Sequence, residues 1–448
     1  MSTPRVVVLG GGLSGLAAAY TLARAGWKHV TVVERGSQLG GLAGTFEADG
    51  HFYPLAYHHI LHRDQGLLYF LDRIGALRDV RWRKVRMLFR LDGRMYDLAD
   101  PVDFLRFPMS LTDKLRFVRL MTRCFIKSDW TDWHERSAAE LVDEWGGPGV
   151  RQAIFDPLAR LKFDRPCDEV SGAWLGARLN FREGSAPLGY IPGSNWTKVL
   201  CDGVSDLIER ASVRVRAGTS VVRLVGDGDS IARVELDDGE SLAADLVVSA
   251  VPTEVYRELL GESRPELEAI QYTAIVSAIF TTRQTIRPDF YWMNLASLDC
   301  NACGIFVLNS LNPTIGGSGE TCLNIMSHVR SRKDTFFNQG DEQILAAYRA
   351  DFRRVFGFEI TPVWSKLHRL PMYSPVFFRG YRNPTLRDPR LRNVYLAGNY
   401  RTFPSIASTG TALSSGVETG TAMLADHGCT TDLPDAIGRF RLASMPKG

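Results

Sequence analysis

Apolar residues open the chain in an unbroken run, Val6-Val-Val-Leu, stop at three consecutive glycines, and resume at helical spacing through Leu13-Ser-Gly-Leu-Ala-Ala-Ala-Tyr. A second run, Val30-Thr-Val-Val-Glu, follows. Short uninterrupted apolar runs predict strands buried on both faces, and the alanine-rich stretch between them predicts a helix packed on the sheet. Gly10, Gly12 and Gly15 have the spacing of a dinucleotide site. The first glycine makes the turn, the second admits a pyrophosphate to the backbone at the helix N-terminus, and the third lets helix and strand pack closely. Glu34 closes the second strand at the position that accepts ribose hydroxyls.

The same patterning lays out the rest. Helical periodicity covers Thr112 to Phe125, Ser137 to Trp145 and Asp341 to Phe356, while Thr273 to Thr282 reads as a strand. Short alternating strands, Ser212-Val-Arg-Val-Arg and Ile231-Ala-Arg-Val-Glu-Leu, stand near the turn Asp237-Asp-Gly. Leu391-Arg-Asn-Val-Tyr-Leu-Ala-Gly-Asn predicts a buried strand, and Ser405 to Leu424 a helix rich in small residues.

After Glu34 the chain continues Arg35-Gly-Ser-Gln-Leu-Gly-Gly-Leu, with a glycine doublet where an NAD domain carries on into a helix. Here it resembles the FAD-containing superfamily of amine oxidases, protoporphyrinogen oxidase, phytoene desaturases and UDP-galactopyranose mutase. The resemblance implies FAD as cofactor and a Rossmann-type α/β FAD-binding domain, joined to a discontinuous α+β substrate domain. In that reading residues 1–75, 190–255 and 370–430 bind FAD, 76–189 and 256–369 form the substrate domain, and 431–448 are a tail.

Carried over position by position, the implied cofactor contacts begin with Gly10, Gly12, Leu13, Ser14 and Gly15. Glu34, Arg35, Gly40, Gly41 and Leu42 follow, Leu42 standing where many members have arginine. Asp245 to Pro252 resembles the strand under the adenine side, with Val222 touching the adenine. Gly398, Asn399, Ala407, Gly410 and Thr411 form the last segment, where the helix N-terminus faces the flavin and Asn399 replaces the usual acid. Amine oxidases place an aromatic residue near Ala407 and Ser408; its absence argues against a simple amine substrate.

Composition narrows the class. At 448 residues, 45% hydrophobic and 23% charged, the chain is an ordinary globular one of about two domains. A strand beginning at Arg5 leaves no room for a signal peptide, no apolar run is long enough to span a bilayer, and a cytoplasmic location is expected. Seven scattered cysteines fit reduced thiols, and Cys300-Asn-Ala-Cys303 lacks the second pair that a metal site needs. Net charge is +3, but Arg78 to Lys127 is rich in arginine interleaved with apolar residues. Three uses stand open for that block: a solvated helix face, contact with an anionic substrate, or docking on an anionic membrane. Nucleic acid is not expected, and oligomeric state cannot be read from the sequence.

Four of nine histidines fall between His51 and His62. His59-Ile-Leu-His62 resembles the mutase's His-Ile-Phe-His segment, and an imidazole beside a flavin can exchange a proton or bind phosphate. His59 is the first catalytic candidate, with His58 and Arg401, which follows the last strand, behind it. Two activities are compatible with these residues. One is an FAD-dependent oxidoreductase that takes a hydride from a C–H bond of a small substrate. The other is a non-redox nucleotide-sugar mutase that uses reduced flavin as nucleophile.

Overall fold

The computed structural model describes residues 3–181, 186–296 and 299–442. The fold is α/β. A five-stranded sheet, parallel throughout, runs Val394–Leu396, Leu246–Ser249, Val6–Leu9, Val30–Glu34, Arg214–Ala217. Its central strand is buried at all four positions, as expected of a strand covered on both faces. The Leu13–Arg24 helix crosses one face of the sheet with every residue from Leu13 to Leu22 buried. Against it lies the Thr409–Asp426 helix, whose small residues let the two backbones approach.

A second sheet of seven strands is mostly antiparallel, in the order Pro362–Pro375, Tyr272–Thr282, Thr321–Val329, Gly304–Val307, Trp292–Leu295, Met87–Leu91, Arg94–Asp97. Its one parallel pair joins Trp292–Leu295 to Met87–Leu91, two segments far apart in sequence. The Asp341–Phe356 helix packs on this sheet through Ile344, Tyr348 and Phe352. Helices between Pro101 and Phe181 build a further apolar core around Leu120, Leu141 and Phe163.

Periodicity located most of these elements to within three residues, including Leu111–Ile126, Tyr272–Thr282 and Asp341–Phe356. The C-terminal pair is shorter than its pattern: the strand is only Val394–Leu396, and the helix begins at Thr409. Between them Asn399–Arg401 forms a tight turn, so the segment after Gly398 is not an extension of the strand. The C-terminal segment carries a short helix, Leu433–Arg439, anchored by fully buried Leu433; residues 443–448 lie outside the described part.

Glycine at the helix crossing has a measurable role. A Cβ on Gly416 would lie 2.1 Å from the Ser14 carbonyl oxygen and 2.9 Å from the Ala17 Cβ. Gly438, on the last helix, has nothing within 4 Å. Gly416→Val is therefore expected to destabilise the fold by about 2–3 kcal/mol in urea unfolding through overpacking. Gly438→Ala should be neutral or slightly stabilising.

Candidate functional site

A cavity of about 980 Å³ begins at the C-terminal end of the parallel sheet and runs between the two sheets. That volume lies near the top of the range of about 300–1,000 Å³ for small-molecule sites. One end is walled by Gly10, Gly12, Leu13, Ser14, Glu34 and Arg35. Two glycine loops meet there without side chains between them. The Gly40 N–H donates to the Gly11 carbonyl at 2.8 Å, Gly12 and Gly40 form a parallel bridge, and a Cβ on Gly41 would sit 3.1 Å from the Gly12 Cα. Gly15 lies behind this wall, where a Cβ would be 2.0 Å from the Gly10 carbonyl oxygen.

The Leu13–Arg24 helix starts at Gly12 with no side-chain cap. Its first N–H groups, at the positive end of the helix dipole, are left for a ligand at the cavity wall. Glu34 accepts from the Gly11 N–H at 2.7 Å and the Gly36 N–H at 2.8 Å, which fixes its carboxylate at the same wall. An uncapped helix start, two glycine loops that meet backbone to backbone, and an acid held one strand away together fit a dinucleotide diphosphate and ribose.

At the far end Gly398, Asn399, Ala407, Ser408, Thr409 and Ala412 line the cavity. Gly398 has φ 147° and its N–H donates to the Ser415 hydroxyl at 3.0 Å. Gly410 and Thr411, expected on the cavity, stand behind it: Thr411 donates to the Asn399 side-chain oxygen at 3.2 Å and shares a capping box with Ser408. Asp64 packs directly against Gly410. A Cβ on Gly410 would lie 1.6 Å from the Asp64 Oδ1.

The structure gives Asp64, two residues after His62, two jobs. It caps the Gln65–Arg73 helix by accepting from the Leu67 N–H at 3.3 Å, and it accepts from the Ser408 hydroxyl at 3.4 Å. Only 7% exposed, it is pushed up to about 6 because burial outweighs those hydrogen bonds.

The histidine pair divides. Both His58 and His59 line the cavity. The His58 Nε2 lies 3.2 Å from the Leu42 carbonyl oxygen, and burial lowers its pKa to about 4. A neutral ring donating through Nε2 leaves Nδ1 without its proton. The His59 Nδ1 lies 3.5 Å from the Tyr291 hydroxyl, with Trp292 and Tyr57 rings beside it.

Two expected residues are turned away. Arg401 is 8% exposed and points into the protein, donating to the Pro384 carbonyl at 3.1 Å and pairing with Glu418 at 3.2 Å. The tight turn at Asn399–Arg401 imposes this direction. Val222 is 52% exposed, and Ser220 and Val221 line the cavity instead. The strand register is irregular between Val221 and Arg223, and there Val221 rather than Val222 reaches the cavity wall.

Lys162 and Arg178 were missed, because each sits on a helix with no motif around it. Both line the main cavity and also a side chamber of about 80 Å³ walled by Phe155, Leu158, Trp174 and Met326. Tyr57 and Trp292 complete the junction. Burial lowers the pKa of Arg178, whose guanidinium stacks 5.5 Å from the Trp174 ring. His328, also on the chamber, is depressed by burial and by those two cations. No Asp or Glu lines the chamber among the described residues. None of the arginines between Arg78 and Lys127 reaches either cavity.

Residues 13–424 match the model of a family described as flavin containing amine oxidoreductase. The chain is 22% identical to the 15-cis-phytoene desaturase of an Oncidium hybrid cultivar, over 94% of this chain and 78% of that protein. It is 25% identical to the coproporphyrinogen III oxidase of Mycobacterium leprae (strain TN), over 84% of this chain and 89% of that one. Among solved structures, reduced UDP-galactopyranose mutase superposes with a TM-score of 0.73 at 15% identity, over 98% of each chain, a likeness of fold.

Asp64 sets a pH test. Between its ordinary value of 3.8 and about 6 the native protein holds a proton that the unfolded chain has released. Stability of the flavin-free protein is therefore expected to fall as pH rises through that window and to level off above it, by on the order of 2–3 kcal/mol. Asp64→Asn should flatten the profile; urea midpoints measured from pH 4 to pH 7 check it.

Proposed function

We infer the function from one premise: the chain belongs to the flavin containing amine oxidoreductase family. We propose that it is an FAD-dependent oxidoreductase that takes a hydride from a C–H bond of a small organic substrate, held where the main cavity meets the Lys162–Arg178 chamber. The observation that carries this reading is the shared wall: Tyr57, Lys162, Arg178 and Trp292 belong to both spaces.

In this reading the division of the chain into an FAD-binding part and an inserted substrate part follows the two sheets. Gly10, Gly12, Leu13 and Ser14 bind the diphosphate with the open helix start, and Glu34 meets the ribose hydroxyls. Arg35, Gly40, Gly41 and Leu42 flank it, and Gly398, Asn399 and Ala407 meet the ring end. When bound, the flavin supplies a hydride acceptor that oxygen or another acceptor restores. His59 is the proton-exchanging residue, at its imidazole. His58, fixed by the Leu42 carbonyl, is a positioning residue. The apolar aromatic walls exclude water from the junction.

Charge selects the substrate. The buried Arg178 guanidinium on the chamber wall disfavours an alkylammonium group and favours a carboxylate, a phosphate or an uncharged substrate. The family's description names amines, and the chamber argues for a different choice here.

Titration of the FAD-loaded protein with octanoate and with octylamine, read by flavin absorbance, tests the charge assignment. Octanoate is expected to bind and Arg178→Gln to weaken it about tenfold or more; tighter binding of octylamine would overturn it. Turnover tests the reaction class. Substrate should bleach the flavin without oxygen, His59→Ala should cut that rate about 100-fold while FAD stays bound, and air should restore the colour. Activity that requires prior chemical reduction and consumes no acceptor would replace this reading with the mutase one.

A further inference from the structure

Seven of the nine large hydrophobic side chains exposed among the described residues lie between Val102 and Ile126. They come from two consecutive helices, Pro101–Arg106 and Leu111–Ile126. The longer helix inverts the usual amphipathic arrangement. Leu111, Leu115 and Val118 are 71%, 73% and 52% exposed, and Ile126 closes the stripe at 71%. Spacings of four and three put the first three on one face. The opposite face buries Leu120 and Cys124, and also Lys114, whose ammonium donates to the Leu105 and Met109 carbonyls at 2.9 Å each. That ammonium ties the two helices into one unit, helped by the Phe104–Phe117 ring contact at 5.5 Å. Val102 and Leu105, 53% and 63% exposed, add the first helix's share of the apolar surface.

Charge surrounds this surface. Residues 101–127 carry six basic and two acidic side chains, a net +4 against +3 for the whole chain, so the positive charge of the protein is concentrated here. Arg106, Arg116 and Arg119 are exposed, and Arg119 and Arg123 flank the Trp145 ring at 4.9 Å. No helix among the described residues is long and apolar enough to cross a membrane. A protruding aliphatic stripe with flanking guanidinium groups matches the boundary between acyl chains and anionic headgroups.

We propose that the Pro101–Ile126 helical pair docks the protein on the surface of an anionic lipid bilayer, with the Leu111–Ile126 helix lying in the plane of the interface. A second copy of the chain is the poorer occupant, because a two-fold contact would press the same cationic patch against itself. The docked helix also reaches toward the cavities: the Asn180 amide donates to the Cys124, Phe125 and Lys127 carbonyls at its end, two residues from Arg178 on the same helix.

The test uses the full FAD-loaded protein and sedimenting vesicles of phosphatidylcholine alone or mixed with phosphatidylglycerol. The protein is expected to pellet with the mixed vesicles, less so in high salt, and weakly with phosphatidylcholine alone. Leu115→Ser with Ile126→Ser should lower the partition about tenfold or more, and Arg106→Gln with Arg116→Gln should remove the preference for the anionic lipid. Flavin absorbance and melting temperature should be unchanged in both double variants, since all four positions are exposed. Equal partition of parent and variants, or no pelleting at all, would overturn the proposal. So would a dimer in sedimentation equilibrium that Leu115→Ser abolishes in a protein that ignores vesicles.

Discussion

Backbone meeting backbone at the cavity wall is the constraint on which the rest depends. The turn after the first strand is pressed from three sides. Gly15 brings its helix onto the Gly10 carbonyl, the Gly40–Gly41 loop lies against Gly12, and Gly416 brings the C-terminal helix onto Ser14. A side chain at Gly15 or Gly416 would lift one layer off another. The approach leaves the first helix open at its N-terminus, while Ser408 and Asp64 occupy the start of the C-terminal helix. Two helix ends therefore face one cavity with opposite vacancies: one offers N–H groups, the other has already spent them.

Local chemistry made the cofactor half legible. The strand, turn, helix and second strand occupy one continuous stretch, so glycine spacing and Glu34 specify the geometry without help from elsewhere. Leu111–Ile126 and Asp341–Phe356 were equally readable, because 3.6-residue periodicity is a property of the segment alone. Val222, carried over from the resemblance, lies outside the cavity for a local reason that the sequence hides, a register irregularity between Val221 and Arg223. Arg401 was placed just after the last strand, but the turn at Asn399–Arg401 carries its guanidinium to Glu418 and away from the cavity.

What the sequence could not reveal was convergence. Lys162 and Arg178 sit on different helices, and both come to the wall that Tyr57 and Trp292 share between the two cavities. The arginine-rich block had the stronger signal and a different destination, for the most part the outer surface. Cationic groups thus serve two places. Inside, Lys162 and Arg178 stand on the wall shared by the two cavities; outside, exposed guanidinium groups ring an apolar stripe. Asn180 connects them, binding the end of the surface helix from the helix that bears Arg178.

Hydride transfer in this protein depends first on the glycine cradle holding FAD. Gly41, with φ 57° and a would-be Cβ 3.1 Å from the Gly12 Cα, is the position where added bulk fills the cradle rather than the core. Flavin-stripped protein titrated with FAD should saturate with the flavin absorbance shift of an enclosed ring, NAD should not compete, and Gly41→Val should stay folded while binding FAD at least about tenfold more weakly. Undiminished FAD binding by Gly41→Val, or displacement of FAD by NAD, would contradict it.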